Sequence, residues 1–161
     1  MHEAARETME QLCAWMTWCR PDYSVTDAQD FILQCGPAWE KGEHYSFAIV
    51  DAQDNSFLGS VGLNNLNRLH KFGNLGYWVR RAARGRGVAT AAARLGAEFG
   101  FRELGLNRVE ILIPEINLAS QRVAQKAGAK FEGLLRNRVM IAEKCQDAVL
   151  YSIVPNDLPG V

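Results

Sequence analysis

Residues 79–99 read VRRAARGRGVATAAARLGAEF. Arg80, Arg81, Arg84 and Arg86 crowd a joint between an aromatic, strand-like segment and one with helical spacing. The start of a helix leaves backbone N–H groups without partners, and with the macrodipole these bind anions, phosphate above all. Gly85 and Gly87 allow a tight turn and the close approach of a ligand. Ala89 keeps that approach open, and Arg84 and Arg86 add positive charge. The chemistry suited to this joint is a pyrophosphate cradled by the amides of Arg84, Gly85, Arg86, Gly87, Val88, Ala89 and Thr90. The same residues also suit a plain strand-to-helix turn with solvated arginines, and the loop alone does not choose.

Three phosphate-binding patterns compete for it. A Walker A loop needs GxxxxGK followed by Ser or Thr, and no lysine follows Gly87. The dinucleotide fingerprint GxGxxG fails at its third glycine, where Thr90 stands, and it normally follows its strand directly. The third pattern is Gln or Arg, two residues, Gly, one residue, then Gly or Ala. Arg84 to Ala89 fits it at every fixed position.

The elements that must position this joint can be read from hydrophobic periodicity. Residues 3–18 predict a helix with Leu12, Trp15 and Met16 on one face, stopped by RPDY. Thr26 and Gln29 suggest a capping box opening a second helix over 27–41, with Gly36-Pro37 as a kink or break. HYSFAIVD, FLGSVGLNNL and NLGYWVR then read as three strands of an antiparallel meander. Residues 88–103 return to helix with Val88, Ala92, Leu95 and Phe99 as its stripe, ended by Gly105. RVEILI is a short strand, and NLASQRVAQKAG a helix between an Asn117 N-cap and Gly128. KFEGLLRNRVMIA and DAVLYSIV form a final hairpin around 143–146. The order α-α-β-β-β-α-β-α-β-β predicts one α/β domain over 1–161, a mixed sheet flanked by helices.

Composition bounds the function. With 161 residues, 48% hydrophobic and 22% charged, the chain can bury one ordinary core. Its formal net charge of +0 argues against nucleic acid, for which Arg80, Arg81, Arg84 and Arg86 would be the contacts. No run approaches the roughly 20 apolar residues of a membrane helix. The charged start MHEAARETMEQ has no signal-peptide core, which points to the cytoplasm. Cys13, Cys19, Cys35 and Cys145 form no CxxC pair and read as free buried thiols. His2, His44 and His70 are scattered, so no metal is expected.

The third loop pattern resembles the coenzyme A pyrophosphate loop of the GNAT superfamily of N-acetyltransferases. GSVGLNNL, LGYWVRRAARGRGVATAA, LNRVEILIPEINLASQRVAQKAGAKFEG and the early CAWMTW are similar to its Rim-type (RimJ/RimL-like) branch, whose namesakes acetylate ribosomal-protein N-termini. The resemblance runs from about Leu12 to Val154 and gives the element order already derived.

It implies a mainly antiparallel sheet in which acetyl-CoA lies in a splay between two parallel strands, here LGYWV and RVEILI. Main-chain groups of Trp78 and Val79 would contact the pantetheine, with Asn117 helping to hold it. An amine would attack the thioester directly. Ser120, at the family's NxxS position, is the candidate acid, and Glu110 a candidate base acting through water. Capping and a solvent-facing strand position are their plainer readings. Many Rim-type sequences carry a glutamate where Asn74 stands, and Asn74 cannot accept a proton. Trp15, Trp18, Tyr77 and Asn64, with Asn65 beside it, are placed near the acceptor; core packing is the plainer reading of the tryptophans.

The default acceptor is a protein N-terminal α-amino group. Amino acids, polyamines and aminoglycosides are alternatives, as is a non-catalytic acetyl-CoA-binding domain. The family's usual first strand is missing from this reading, either absent or lost to a late start. The expectation is an open sheet edge covered by a partner subunit, as in a homodimer, or by the C-terminal segment.

Overall fold

The computed structural model describes residues 1–160. Helices α1 (His2–Cys13) and α2 (Val25–Glu40) precede β1 (Tyr45–Val50), β2 (Phe57–Asn67) and β3 (Phe72–Val79). Then come α3 (Val88–Arg102), β4 (Arg108–Pro114), α4 (Leu118–Ala127), β5 (Lys130–Ile141) and β6 (Lys144–Ile153). The six strands lie in the order β1-β2-β3-β4-β6-β5. Every pairing is antiparallel except β3 with β4. The predicted element order and mixed sheet are therefore those observed.

One face of the sheet carries the main core. Leu63, Leu75, Val109, Ile111, Ile113 and Ile153 are buried against α3 and α4. α3 reaches them with small residues: Ala92, Ala93, Gly96, Ala97 and Gly100 are its buried face, with Phe101. A Cβ at Gly96 would stand 2.7 Å from Leu75 Cδ1, so the helix can lie this close only because that Cβ is absent. This corrects the expected stripe. Leu95 is 64% exposed, and Phe99 packs at the flank against Trp39, Tyr45 and Phe47. Hydrophobicity picked the bulky residues, whereas close packing on a flat sheet selects the small ones.

α1 and α2 cover part of the other face. Ala4, Ala5, Leu12, Tyr23 and Ala28 bury Trp78 of β3. α1 stops at Cys13, earlier than its apolar spacing suggested. The amides of Trp15 and Met16 both turn back to the Leu12 carbonyl, so Trp15 and Met16 belong to a loop. That loop is closed by a Cys13–Cys19 disulfide with Cα atoms 4.7 Å apart. Free thiols were expected at these two positions, but the turns after α1 fold the chain back on itself and bring the sulfurs together. Cys35 is free and half-buried, and Cys145 is free and exposed.

The cap of α2 is Ser24, not Thr26. Ser24 Oγ accepts from the Asp27 amide at 3.2 Å, and Asp27 Oδ2 accepts from the Ser24 amide at 2.8 Å. Both pairs have cap spacing, and aspartate serves at N3 as glutamate or glutamine would. Pro37 neither breaks nor ends α2, which continues to Glu40. So near the C-terminus its missing N–H removes only one bond.

β1 pairs with β2 alone, and its outer edge has no strand partner among the described residues. The C-terminal segment does not cover it. Leu158 joins the main core, and Gly160 accepts a bond from Arg102 at the far end of α3. No described helix is long and apolar enough to cross a membrane.

The packing at α3 separates two glycines. A Cβ at Gly36 in α2 meets nothing within 4 Å. Gly36→Ala should therefore raise stability by about 0.5–1 kcal/mol. Gly96→Val should lower it by about 1–3 kcal/mol through overpacking against Leu75. Urea denaturation midpoints measure both.

Candidate active site

The strand β3 leads through a single turn, Arg81–Ala83, into extended Arg84 and then Gly85, Arg86 and Gly87. Gly85 has φ +71° and Gly87 φ +80°, left-handed values that glycine adopts without strain. Gly87 is the N-cap of α3 and offers no side-chain oxygen to the first turn. The first helical bond runs from the Ala91 amide to the Gly87 carbonyl. The amides of Val88, Ala89 and Thr90 are thus left without an intrahelical acceptor at the positive end of the helix. A Cβ at Gly85 or Gly87 would meet nothing within 4 Å, so the space over these amides is clear. The residues present fit an anionic ligand there.

The loop is anchored from behind. Arg80 pairs with Glu7 of α1, the other Glu7 oxygen accepts from the Ala82 amide at 2.9 Å, and Thr8 Oγ1 accepts from the Arg81 amide at 3.0 Å. The Arg80 bond and the Ala82 amide together hold the Glu7 carboxyl below its ordinary pKa. Arg80 therefore belongs to the scaffold. Arg86 leans to Asp51 at 3.3 Å, while Arg84 forms no ion pair among the described residues. Partial burial, with Arg81 nearby, lowers the Arg84 pKa from a value so high that the guanidinium stays charged.

β3 and β4 pair only at Phe72–Arg108, Gly73–Val109 and Asn74–Glu110. Beyond these the strands part, and the segments 75–79 and 111–114 face one another unpaired. Asn74 stands at the apex. Its Nδ2 donates to Asn64 Oδ1 at 3.0 Å, and its Oδ1 accepts from the Leu112 amide at 3.4 Å. At the mouth, the Tyr77 hydroxyl donates to the Ser120 carbonyl at 3.0 Å and lies 3.1 Å from Ser120 Oγ. Burial pushes the Tyr77 pKa up to about 12, so the phenol stays protonated. Asn117 caps α4 by accepting from the Ser120 amide at 3.1 Å.

The opening continues into a cavity of about 340 Å³ on the α1–α2 side of the sheet. Trp15, Trp18, Asn64, Asn74, Tyr77, Trp78, Asn117 and Ser120 all line it. The structure thus gathers the acceptor candidates, Trp78, Asn117 and Ser120 around one space, while the residues of the Arg84–Thr90 joint do not line it. The Trp18 ring lies 6.0 Å from that of Trp78, and the disulfide fastens the loop that carries Trp15 and Trp18. Val79 and Glu110 are not among the lining residues. Glu110 instead accepts from Arg108 Nε at 2.8 Å. Arg108 also grips Glu132, whose carboxyl is held down to about 2 by Arg108 and Ser152. Asn65 has φ +49° within a bulge of β2 and is exposed.

His44, Ser46, Ser60 and Phe31 also line the cavity and were not singled out from the sequence. A signal for three of them was present. His44, Ser46, Ser60, Gly62, Asn64, Asn74, Gly76 and Trp78 all follow the period-two spacing of one strand face. Their register across strands, which a single sequence does not display, joins them.

The family described as acetyltransferase (GNAT) domain matches residues 2–130. YjcK of Bacillus subtilis, which carries the name of an N-acetyltransferase, is 34% identical over 84% of this chain and 75% of its own length. A Vibrio cholerae protein named for ribosomal-protein-serine acetylation is 28% identical, with TM-score 0.80 over 95% of this chain and 85% of that one. Mycobacterium smegmatis RimJ, solved in complex with CoA-disulfide, has the same fold, with TM-score 0.87 at 24% identity over 98% of this chain and 77% of that one. The match in sequence over most of the chain, together with a fold shared end to end, makes this protein a member of the GNAT family of acetyltransferases.

Proposed function

We propose that this acetyltransferase takes its acetyl group from acetyl-CoA and passes it to a primary amine, the α-amino group of a protein N-terminus. One observation carries the reading: the unpartnered amides of the Gly85–Thr90 joint follow on the same strand, β3, that borders both the gap beside β4 and a neutral cavity. A pyrophosphate would rest on the amides of Arg84 to Thr90, with Arg84 adding charge. The pantetheine arm would run along Trp78 and Val79 as an extra strand, with Asn117 on its other side. The thioester would then lie at the cavity mouth, near Ser120 and Tyr77.

The amine must be neutral to attack. An α-amine has a pKa near 8 and a lysine amine about 10.4, so the first needs far less help from a base. The leaving thiolate, with a pKa of about 8.5 for a model thiol, takes a proton that Ser120 and Tyr77 can relay. Trp15 and Trp18 would form the acceptor's apolar wall, and Asn64 would offer it a polar contact. Lining residues include no aspartate or glutamate, so a polycation such as a polyamine finds no counter-charge there.

Thermal melting with acetyl-CoA tests the first half. A ligand at about 100 times its Kd adds roughly 2.7 kcal/mol to the native state. Ala89→Glu should abolish that rise without lowering the melting point of the free protein. A carboxylate in the first turn suits the helix but repels a pyrophosphate. No rise in the wild type overturns the cofactor assignment.

The second half is read by thiol release with three acceptors. A short peptide with a free α-amine should turn over, and the same peptide N-acetylated should not. Spermidine should be a poor acceptor. Turnover with spermidine alone would overturn the acceptor class.

A further inference from the structure

We infer that His44 is the proton acceptor of this site, taking the acceptor amine's proton through the Ser46 hydroxyl or a water beside it. The inference rests on the acetyl-transfer reading above and names the group that performs one of its steps.

The cavity lining includes no carboxylate, lysine or arginine. Asn74, at the apex of the gap, is an amide with both ends engaged. Glu110 is ion-paired to Arg108 and lies outside the lining. Tyr77 is a phenol that stays protonated, and Ser120 is a hydroxyl. His44 is the one lining side chain that can take up a proton near neutral pH.

Its surroundings keep it ready to do so. Phe31 approaches edge-on from α2, with ring centroids 6.5 Å apart, and Gly62 faces it from β2. From the α1–α2 loop come the tryptophans, and Glu43 beside it is exposed. No charged group faces it from these elements. Burial alone lowers its pKa from the ordinary 6.5, so the imidazole is neutral at pH 7, with one ring nitrogen unprotonated. Its Nε2 lies 3.0 Å from Ser46 Oγ.

The floor between His44 and the gap is bare. Ser46 is in register with Gly62, and Gly62 with Gly76. A Cβ at Gly76 would meet nothing within 4 Å, and one at Gly62 would stand 2.9 Å from His44 Nε2. His44 and Ser46 therefore reach over Gly62, and beyond them the floor at Gly76 carries no side chain. At a strand spacing of about 4.8 Å, Gly76 lies roughly one strand away from that pair, which is room for the amine and one bridging water.

The step balances. An ammonium N–H proton passes to the Ser46 oxygen or a water, which hands its own proton to Nε2, leaving a neutral amine and an imidazolium. The amine lone pair forms the C–N bond, the C–S bond breaks, and the sulfur leaves with that pair. The nitrogen's remaining surplus proton goes to the thiolate, and His44 returns its proton to solvent.

The experiment is the pH profile of kcat/KM with the α-amine peptide, for wild type and His44→Gln. The wild type should be nearly flat from pH 6.5 to 8.5. Without the imidazole the rate should follow the free-amine fraction up to a pKa of about 8, so the deficit is about tenfold at pH 7 and closes by pH 9. Ser46→Ala should show a smaller deficit of the same shape. His44→Asn serves if the glutamine variant misfolds, and unchanged melting with acetyl-CoA confirms an intact cofactor site. A deficit equal at all pH values, or a profile that superposes on the wild type, overturns the role of His44 alone. A wild type that melts higher with acetyl-CoA but releases no thiol with any amine overturns both this inference and the transfer reading.

Discussion

The site exists because two parallel strands stop pairing. β3 and β4 share three register pairs and then diverge, though neither strand ends there. A main-chain group that loses its strand partner in a half-buried gap must find another or forfeit about 1–3 kcal/mol. Asn74 answers one such group, the Leu112 amide, and ties itself to Asn64 across β2. Tyr77 braces the mouth by reaching from β3 to Ser120 on α4. Between these two braces the edges of 75–79 and 111–114 remain open to an extended ligand, in the same way that a sheet edge accepts a strand.

The braces also explain the division of labour across the sheet. On the α3 face the buried positions are apolar or small apart from Tyr77 and Tyr151, and Gly96 lets the helix settle on Leu75. That close seat fixes where α3 begins, and with it the direction of the amides at Val88 to Thr90. α1 fixes the other end of the joint through Glu7 and Thr8. The opposite face carries the polar row from His44 to Asn74, roofed by the Trp15–Trp18 loop. One set of strands thus holds a core on one side and a neutral, polar-lined cavity on the other, and period-two alternation keeps them apart.

Much of this could be read from the sequence where the information is local. The Gly85–Thr90 joint, the Asn117 cap and the order of elements follow from turn chemistry and periodicity within a few residues. Element ends were harder. Leu12, Trp15 and Met16 have helical spacing, yet a disulfide and a turn claim the last two. Ser24 and Thr26 both have cap spacing, and only the fold selects one. His44 was invisible for a different reason. Its neighbour Ser46 has no chemistry of its own in the sequence, and the meaning of the pair comes from lying against Gly62 of β2, on the strand face that lines the cavity. Glu110 shows the converse, since the family resemblance offered it as a base while Arg108, two residues before it, holds its carboxylate.

The neutrality of the chamber constrains what it can accept. Moving an ammonium from water into a half-enclosed space without a counter-charge is unfavourable, and the environment responds by lowering the amine's pKa. For an α-amine already near 8 a small shift suffices, and one neutral imidazole is enough to remove the proton. A lysine amine near 10.4 would need over two further units, several kcal/mol, from a cavity with no carboxylate to repay it. A polyamine would bring additional charges under the same penalty. For the amine transfer proposed above, the absence of charge would select by basicity as well as by shape, in favour of an acceptor with a single, weakly basic amine. An asparagine at position 74 belongs to the same logic. A carboxylate there would hold positive charge at the apex, whereas the amide satisfies Leu112 and leaves the chamber neutral.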